Sequence, residues 1–263
     1  MRKRKCRGKY LNIEFHRTYL VMALGFVLTG YYLNLIIFTS LILVHEMGHY
    51  VMAKINSFNV DKIIIYPYGG MTKLNDMINR DICEELLVAT SGIIVQYLFY
   101  MGIVLLYREG IVREYVYNLY GLYNNQMIFF NMMPIYPLDG SKIFSLIMDK
   151  YFPYYRANII TMVVSLVCIV VIILASVYSN SYSNVMVMFL LFTYLYKFYK
   201  NRKYIYNRFL LERYLYKIEY PNVRVINGIR NMFKNKKHII FNKNTYMEER
   251  EVLSNLFKEK NFK

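Results

Sequence analysis

The chain has 263 residues, 56% hydrophobic and 19% charged, with a formal net charge of +16. Its apolar residues are gathered into long charge-free runs, which excludes a purely soluble core and points to an integral membrane protein. The basic surplus sits at the two ends, which argues against a nucleic-acid surface and for cytoplasmic flanks of membrane spans.

The start is basic: Arg2, Lys3, Arg4, Lys5, Arg7 and Lys9 fall within nine residues. No cleavable signal peptide is expected, because the apolar run behind is far too long for an h-region. From Thr18 to Ala53, the only ionisable groups apart from tyrosines are His45, Glu46 and His49. That length suits two short spans, about 15–30 and 33–54, broken near Gly30-Tyr31-Tyr32. His16 reads as an interfacial residue, not a ligand. Residues 58–75 hold a β-branched run, Pro67 and Gly69-Gly70, which predicts a short hairpin, on the surface or at membrane depth under protein cover.

Leu86 to Tyr107 is a charge-free third span. Gly92 and Gln96 share a face there and read as a close helix contact with an interhelical hydrogen bond. Tyr115 to Met133 is the fourth span, stopped by Pro134. Ala157 to Tyr196 has room for the fifth and sixth, with a turn near Ser179-Asn180-Ser181. The segment 197–263 carries 17 Lys and Arg against 6 Glu and is expected to form a small soluble α/β unit. Cys6, Cys83 and Cys168 form no CxxC pair and no disulfide framework. The 29 tyrosines suit membrane interfaces.

The expected fold is therefore an all-α polytopic membrane protein. It has about six transmembrane helices, a short membrane-associated β-hairpin and a small soluble α/β tail. A basic cytoplasmic N-terminus (1–14) precedes a transmembrane domain (15–200) and a cytoplasmic C-terminal tail (201–263). The basic flanks place both termini in the cytoplasm, and the number of spans between them is therefore even.

The chemistry is concentrated in Val44-His45-Glu46-Met47-Gly48-His49-Tyr50. Helical residues four apart share a face, so His45 and His49 can offer two imidazoles to one metal, with Glu46 beside them as a base. Chance predicts roughly 0.003 such matches in this composition. A catalytic zinc has three protein ligands and an open position. The second and fourth spans run in the same direction, so the segment after the fourth reaches the side and depth of the histidine pair. Asp139 is the acid there. The competitors are His238 in the tail, Glu109 and Glu114 on the outer side, and Asp149, expected in a solvated loop. Pro134 and Pro137 stiffen the approach to Asp139. Asn131 either donates to a developing oxyanion or satisfies backbone groups freed by the prolines.

Together, His45-Glu46-Met47-Gly48-His49, Asn131-x-x-Pro134-x-x-Pro137-Leu138-Asp139-Gly140 and Pro67-Tyr68-Gly69-Gly70 resemble the site-2 protease family of intramembrane zinc metalloproteases. The resemblance covers about residues 15–215. It is closest to the stage IV sporulation protein FB branch, whose segment after the last span reads much like Arg208-Phe209-Leu210-Leu211-Glu212-Arg213-Tyr214. It implies one Zn2+ per chain on His45, His49 and Asp139, with Glu46 and Asn131 as catalytic groups. It also implies a membrane-associated substrate, pro-sigma-K, cleaved during sporulation in the mother-cell membrane surrounding the forespore. Inhibitory membrane protein partners and a homo-oligomer belong to the same expectation, and direct nucleic-acid contact does not. Relatives carry a CBS-type nucleotide-sensing domain in the tail, of which 201–263 is expected to be a degenerate form. Ser141 stands where many relatives have a second glycine.

The alternatives are a membrane metalloprotease of another family, and a catalytically inactive membrane scaffold or metal-binding transport protein. The Pro-Leu-Asp-Gly segment argues against the first. The intact Glu46 argues against the second, since a transporter needs no base between its ligands.

Overall fold

The computed structural model describes residues 12–67, 69–180, 182–216, 220, 222–242 and 245–260. The basic N-terminal cluster, Cys6, Tyr68 and Ser181 lie outside them. The chain divides into two compact units.

The first unit holds residues up to 76 together with 86–132. It opens with strand β1 (Ile13–Phe15) and helix α1 (Arg17–Leu28). His16 caps α1, its Nδ1 accepting from the Thr18 amide at 3.3 Å, and its ring packs at a tilt against Tyr66. The helix ends at Gly30, whose φ of 79° is a conformation glycine adopts without a side-chain penalty. Helix α2 (Tyr32–Ile55) follows. Its inward face is a helical-period row of buried residues, Ile37, Leu41, His45, Gly48 and His49. Strands β2 (Val60–Tyr66) and β3 (Gly69–Leu74) form the expected hairpin, paired Ile63 to Thr72 and Ile65 to Gly70. The short parallel strand β1, which carries no alternating run of its own, joins β2 on the far side, leaving β3 at an edge of the sheet. Helices α3 (Ile82–Arg108) and α4 (Glu114–Met132) complete the unit, the first turn of α3 counting with the second unit. Tyr19, Ile37, Leu41, Ile42, Ile65 and Met127 form a core cluster here.

The second unit holds residues 77–85 and 133 onward. Helix α5 (Asp139–Tyr151) leads to α6 (Tyr154–Tyr178) and α7 (Tyr182–Leu215). Ser165 services the proline segment before α5: its hydroxyl donates to the Pro134 carbonyl and accepts from the Tyr136 amide. The tail forms a three-stranded sheet of β4 (Val223–Asn227), β5 (Lys237–Asn242) and β6 (Thr245–Glu248), followed by helix α8 (Glu249–Lys260). Tyr154, Phe209, Leu210, Ile226, Met232, Ile240 and Leu253 make its core. Glu212 near the end of α7 accepts from the backbone amides of Ile78 and Asn79, tying down the segment before α3.

Three helices among the described residues, α2, α3 and α6, are long and apolar enough to cross a membrane. Of the remaining expected spans, α1 has only 12 residues, about 18 Å at 1.5 Å per residue. Helix α4 is diluted by Asn118, Asn124, Asn125, Gln126 and Asn131, and the second half of α7 is basic.

One expectation is corrected. Asp149 does not lie in a solvated loop. It is in α5 and 2% exposed, because it stands one turn beyond buried Leu146 on the same inward face.

Candidate metal centre and protease site

His45, Glu46 and His49 occupy consecutive turns of α2 and are 1%, 3% and 6% exposed. Their Nε2 atoms stand 3.1 Å apart. His49 Nδ1–H donates to the Val88 carbonyl at 2.7 Å, and His45 Nδ1–H to Gln96 Oε1 at 2.9 Å. These acceptors assign the proton of each neutral ring to Nδ1, which leaves both Nε2 lone pairs converging. Converging imidazole lone pairs, each ring oriented from behind, are the donor arrangement a zinc ion requires.

The orientation of Gln96 is itself set. Its Nε2 donates to Asn124 Oδ1 at 3.1 Å on α4, which turns Oε1 towards His45. A chain of hydrogen bonds therefore runs from α4 through α3 to His45 on α2.

Two glycines make room for the site. A Cβ on Gly92 would lie 2.6 Å from His49 Cε1 and 2.8 Å from His45 Nε2. A Cβ on Gly70 would lie 2.6 Å from Glu46 Oε1. Gly48 has the matching role between helices, since its Cβ would meet the Ser91 carbonyl at 2.7 Å. Thr72, two residues beyond Gly70 on β3, donates its hydroxyl to Glu46 Oε2 at 2.6 Å. The hairpin thus grips the Glu46 carboxylate by one oxygen and leaves space beside the other.

Asn131 is 7% exposed near the end of α4. Asp139 is the first residue of α5 and half-buried, not a turn residue. Leu138 precedes it in extended conformation and accepts the first helical hydrogen bonds. The positive end of the helix dipole favours the ionised carboxylate that a ligand must be. Sequence reasoning missed Gln96, Asn124, Gly92, Gly70 and Thr72 as parts of the site. The Gly92/Gln96 face was visible as a packing signal, and it is this face that holds both histidines.

Residues 33–114 match the model of peptidase family M50. The chain belongs to that family, the site-2 proteases, and is an intramembrane zinc metalloprotease. It is 30% identical over 207 residues to stage IV sporulation protein FB of Bacillus subtilis, covering 78% of this chain and 72% of that protein. It is 32% identical over 132 residues to a zinc metalloprotease of Methanocaldococcus jannaschii, spanning 48% of this chain and 37% of that one. The solved site-2 protease from Methanocaldococcus jannaschii shares the fold at a TM-score of 0.56 and 21% identity, over 72% of this chain and 92% of that one.

Proposed function

We propose that the chain holds one zinc on His45, His49 and Asp139 and cleaves a membrane-associated pro-sigma factor, pro-sigma-K, during sporulation. The observation that carries this reading is the convergence of two oriented imidazoles beside a carboxylate gripped from one side. A bound zinc would supply an acidified water and polarise the scissile carbonyl. Glu46 takes the proton of the attacking water on Oε1, the oxygen beside Gly70, while the Thr72 hydroxyl steadies Oε2. The same carboxyl then delivers that proton to the leaving peptide nitrogen. Asn131 donates its amide to the developing oxyanion or the substrate backbone.

A helical substrate shields its own peptide bonds, so it must unwind before cleavage. Strand β3 is an edge of its sheet and can pair with the unwound segment by β-addition. In this reading α1, α4 and α7 join α2, α3 and α6 as crossings, which places both termini in the cytoplasm. The enzyme lies in the mother-cell membrane around the forespore, inhibitory membrane proteins hold it off, and the tail from 201 is regulatory. The similarity to the sporulation protein of Bacillus subtilis supports this assignment.

The test is co-expression of the full chain with membrane-bound precursors, scored for a shortened product. The parent should yield it and Glu46→Gln should not, while retaining zinc. Normal cleavage by Glu46→Gln overturns the mechanism. Full zinc occupancy in Asp139→Ala moves the third ligand elsewhere.

A further inference from the structure

Three consecutive residues of the tail, Met232 to Lys234, reach the ends of three helices. The Met232 carbonyl accepts from the Tyr154 amide at 2.9 Å, at the start of α6. The Phe233 carbonyl accepts from Arg213 Nη1 at 2.6 Å, near the end of α7. Lys234 Nζ donates to both oxygens of Glu85 at 2.8 Å, in the first turn of α3. Lys234 and Glu85 are also the charges that act on Asp149, in the last turns of α5. The Lys234 side chain is only 4% exposed, and Asp149 Oδ1 is buried without a hydrogen-bond partner. A buried ammonium held by both oxygens of one carboxylate is a strong local constraint, because losing either partner leaves an uncompensated charge.

The positions of those carboxylates in the sequence give the cluster its meaning. Glu85 stands one turn before Val88, the carbonyl that orients His49, and the same helix carries Gly92 and Gln96. Asp149 shares α5 with Asp139. Glu85 therefore answers to Lys234 through a direct ion pair, and buried Asp149 through the charge of the same lysine.

We propose that Lys234 is a positioning residue of the protease: through Glu85 and Asp149 it sets α3 and α5, and so the aim of the groups that hold the metal. The proposal rests on Asp139 being a ligand. None of Lys234, Glu85 and Asp149 touches the reacting atoms.

The experiment measures zinc affinity of the purified full-length protein by chelator competition, alongside precursor cleavage. Lys234→Met should weaken zinc binding roughly tenfold, in the range of losses seen when an orienting contact to a ligand is removed. Cleavage should fall in parallel, and Lys234→Arg, which keeps the charge, should restore both to within about threefold. If Lys234→Met does not fold, Glu85→Ala reads the same contact from its more exposed side and should shift zinc affinity in the same direction. Asp139→Ala is the control. If it loses zinc while Lys234→Met and Glu85→Ala hold zinc within about twofold of the parent, the positioning proposal is overturned and the ligand assignment stands. If Asp139→Ala retains zinc, the ligand assignment fails and this proposal falls with it.

Discussion

Gln96 Oε1 lies 2.9 Å from His45 Nδ1, so a neutral amide on one helix directs the proton of an imidazole on another helix to Nδ1. Asn124 fixes the amide in turn, through both its side chain and its backbone carbonyl. Gln96→Leu keeps roughly the volume and removes the acceptor. Zinc affinity should fall between about tenfold and a hundredfold, measured by chelator competition, while the folded fraction by circular dichroism stays that of the parent.

Gly92→Ala should be more damaging than its size suggests. The new methyl would fall within 2.8 Å of His45 Nε2 and collide with the His49 ring, so neither imidazole can keep its aim. Purified Gly92→Ala protein should carry little zinc, and adding zinc should not restore cleavage.

Thr72→Val separates the base from the metal. Hydrogen bonds to charged groups contribute about 1.5–3 kcal/mol, so removing the hydroxyl from Glu46 Oε2 should slow cleavage by at least about tenfold. Zinc content should remain at the parental level, and equal loss of zinc would show that Thr72 acts on the ligands instead.

Burial pushes the Asp149 carboxyl up to about 7, against the pull of the Lys234 ammonium and with Glu85 adding to the rise. The folded state therefore binds this proton more tightly than the unfolded state. The stabilisation is fully present below the unfolded value near 3.8 and is lost as pH rises through about 7. With about 1.4 kcal/mol per pH unit, the change across that window is a few kcal/mol. Asp149→Asn should flatten the fall in thermal stability over the window, as followed by melting curves at successive pH values. An unchanged slope would mean that Asp149 titrates as an ordinary carboxylate.

Much of this was legible in the residues. His45, Glu46 and His49 stand within five positions of one helix, and helical period alone puts the histidines on one face. The hairpin announced itself by a β-branched run before Pro67 and two glycines, and the charge-free runs marked the long helices. The parts that stayed hidden depend on packing between distant segments. Gln96 is 51 residues from His45, and Thr72 is 26 from Glu46. Nothing local distinguishes such a Gln or Thr from an incidental polar residue. The burial of Asp149 was missed because a charge usually signals solvent. Strand β1 is three residues long and exists only through its parallel partner.

Gly48, Gly70 and Gly92 also bear on how this sequence can change over time. Every other residue brings a Cβ, so no single substitution at these positions leaves the backbone, the base and the imidazoles where they are. For a protease of this kind these are one-way positions: a lineage can leave glycine only by giving up the geometry or by moving several neighbours at once. Descendants that keep the chain as a scaffold are freed from that constraint. Their first visible mark should be a side chain at position 70 or 92, present even while the two histidines and the glutamate are still spelled out in full.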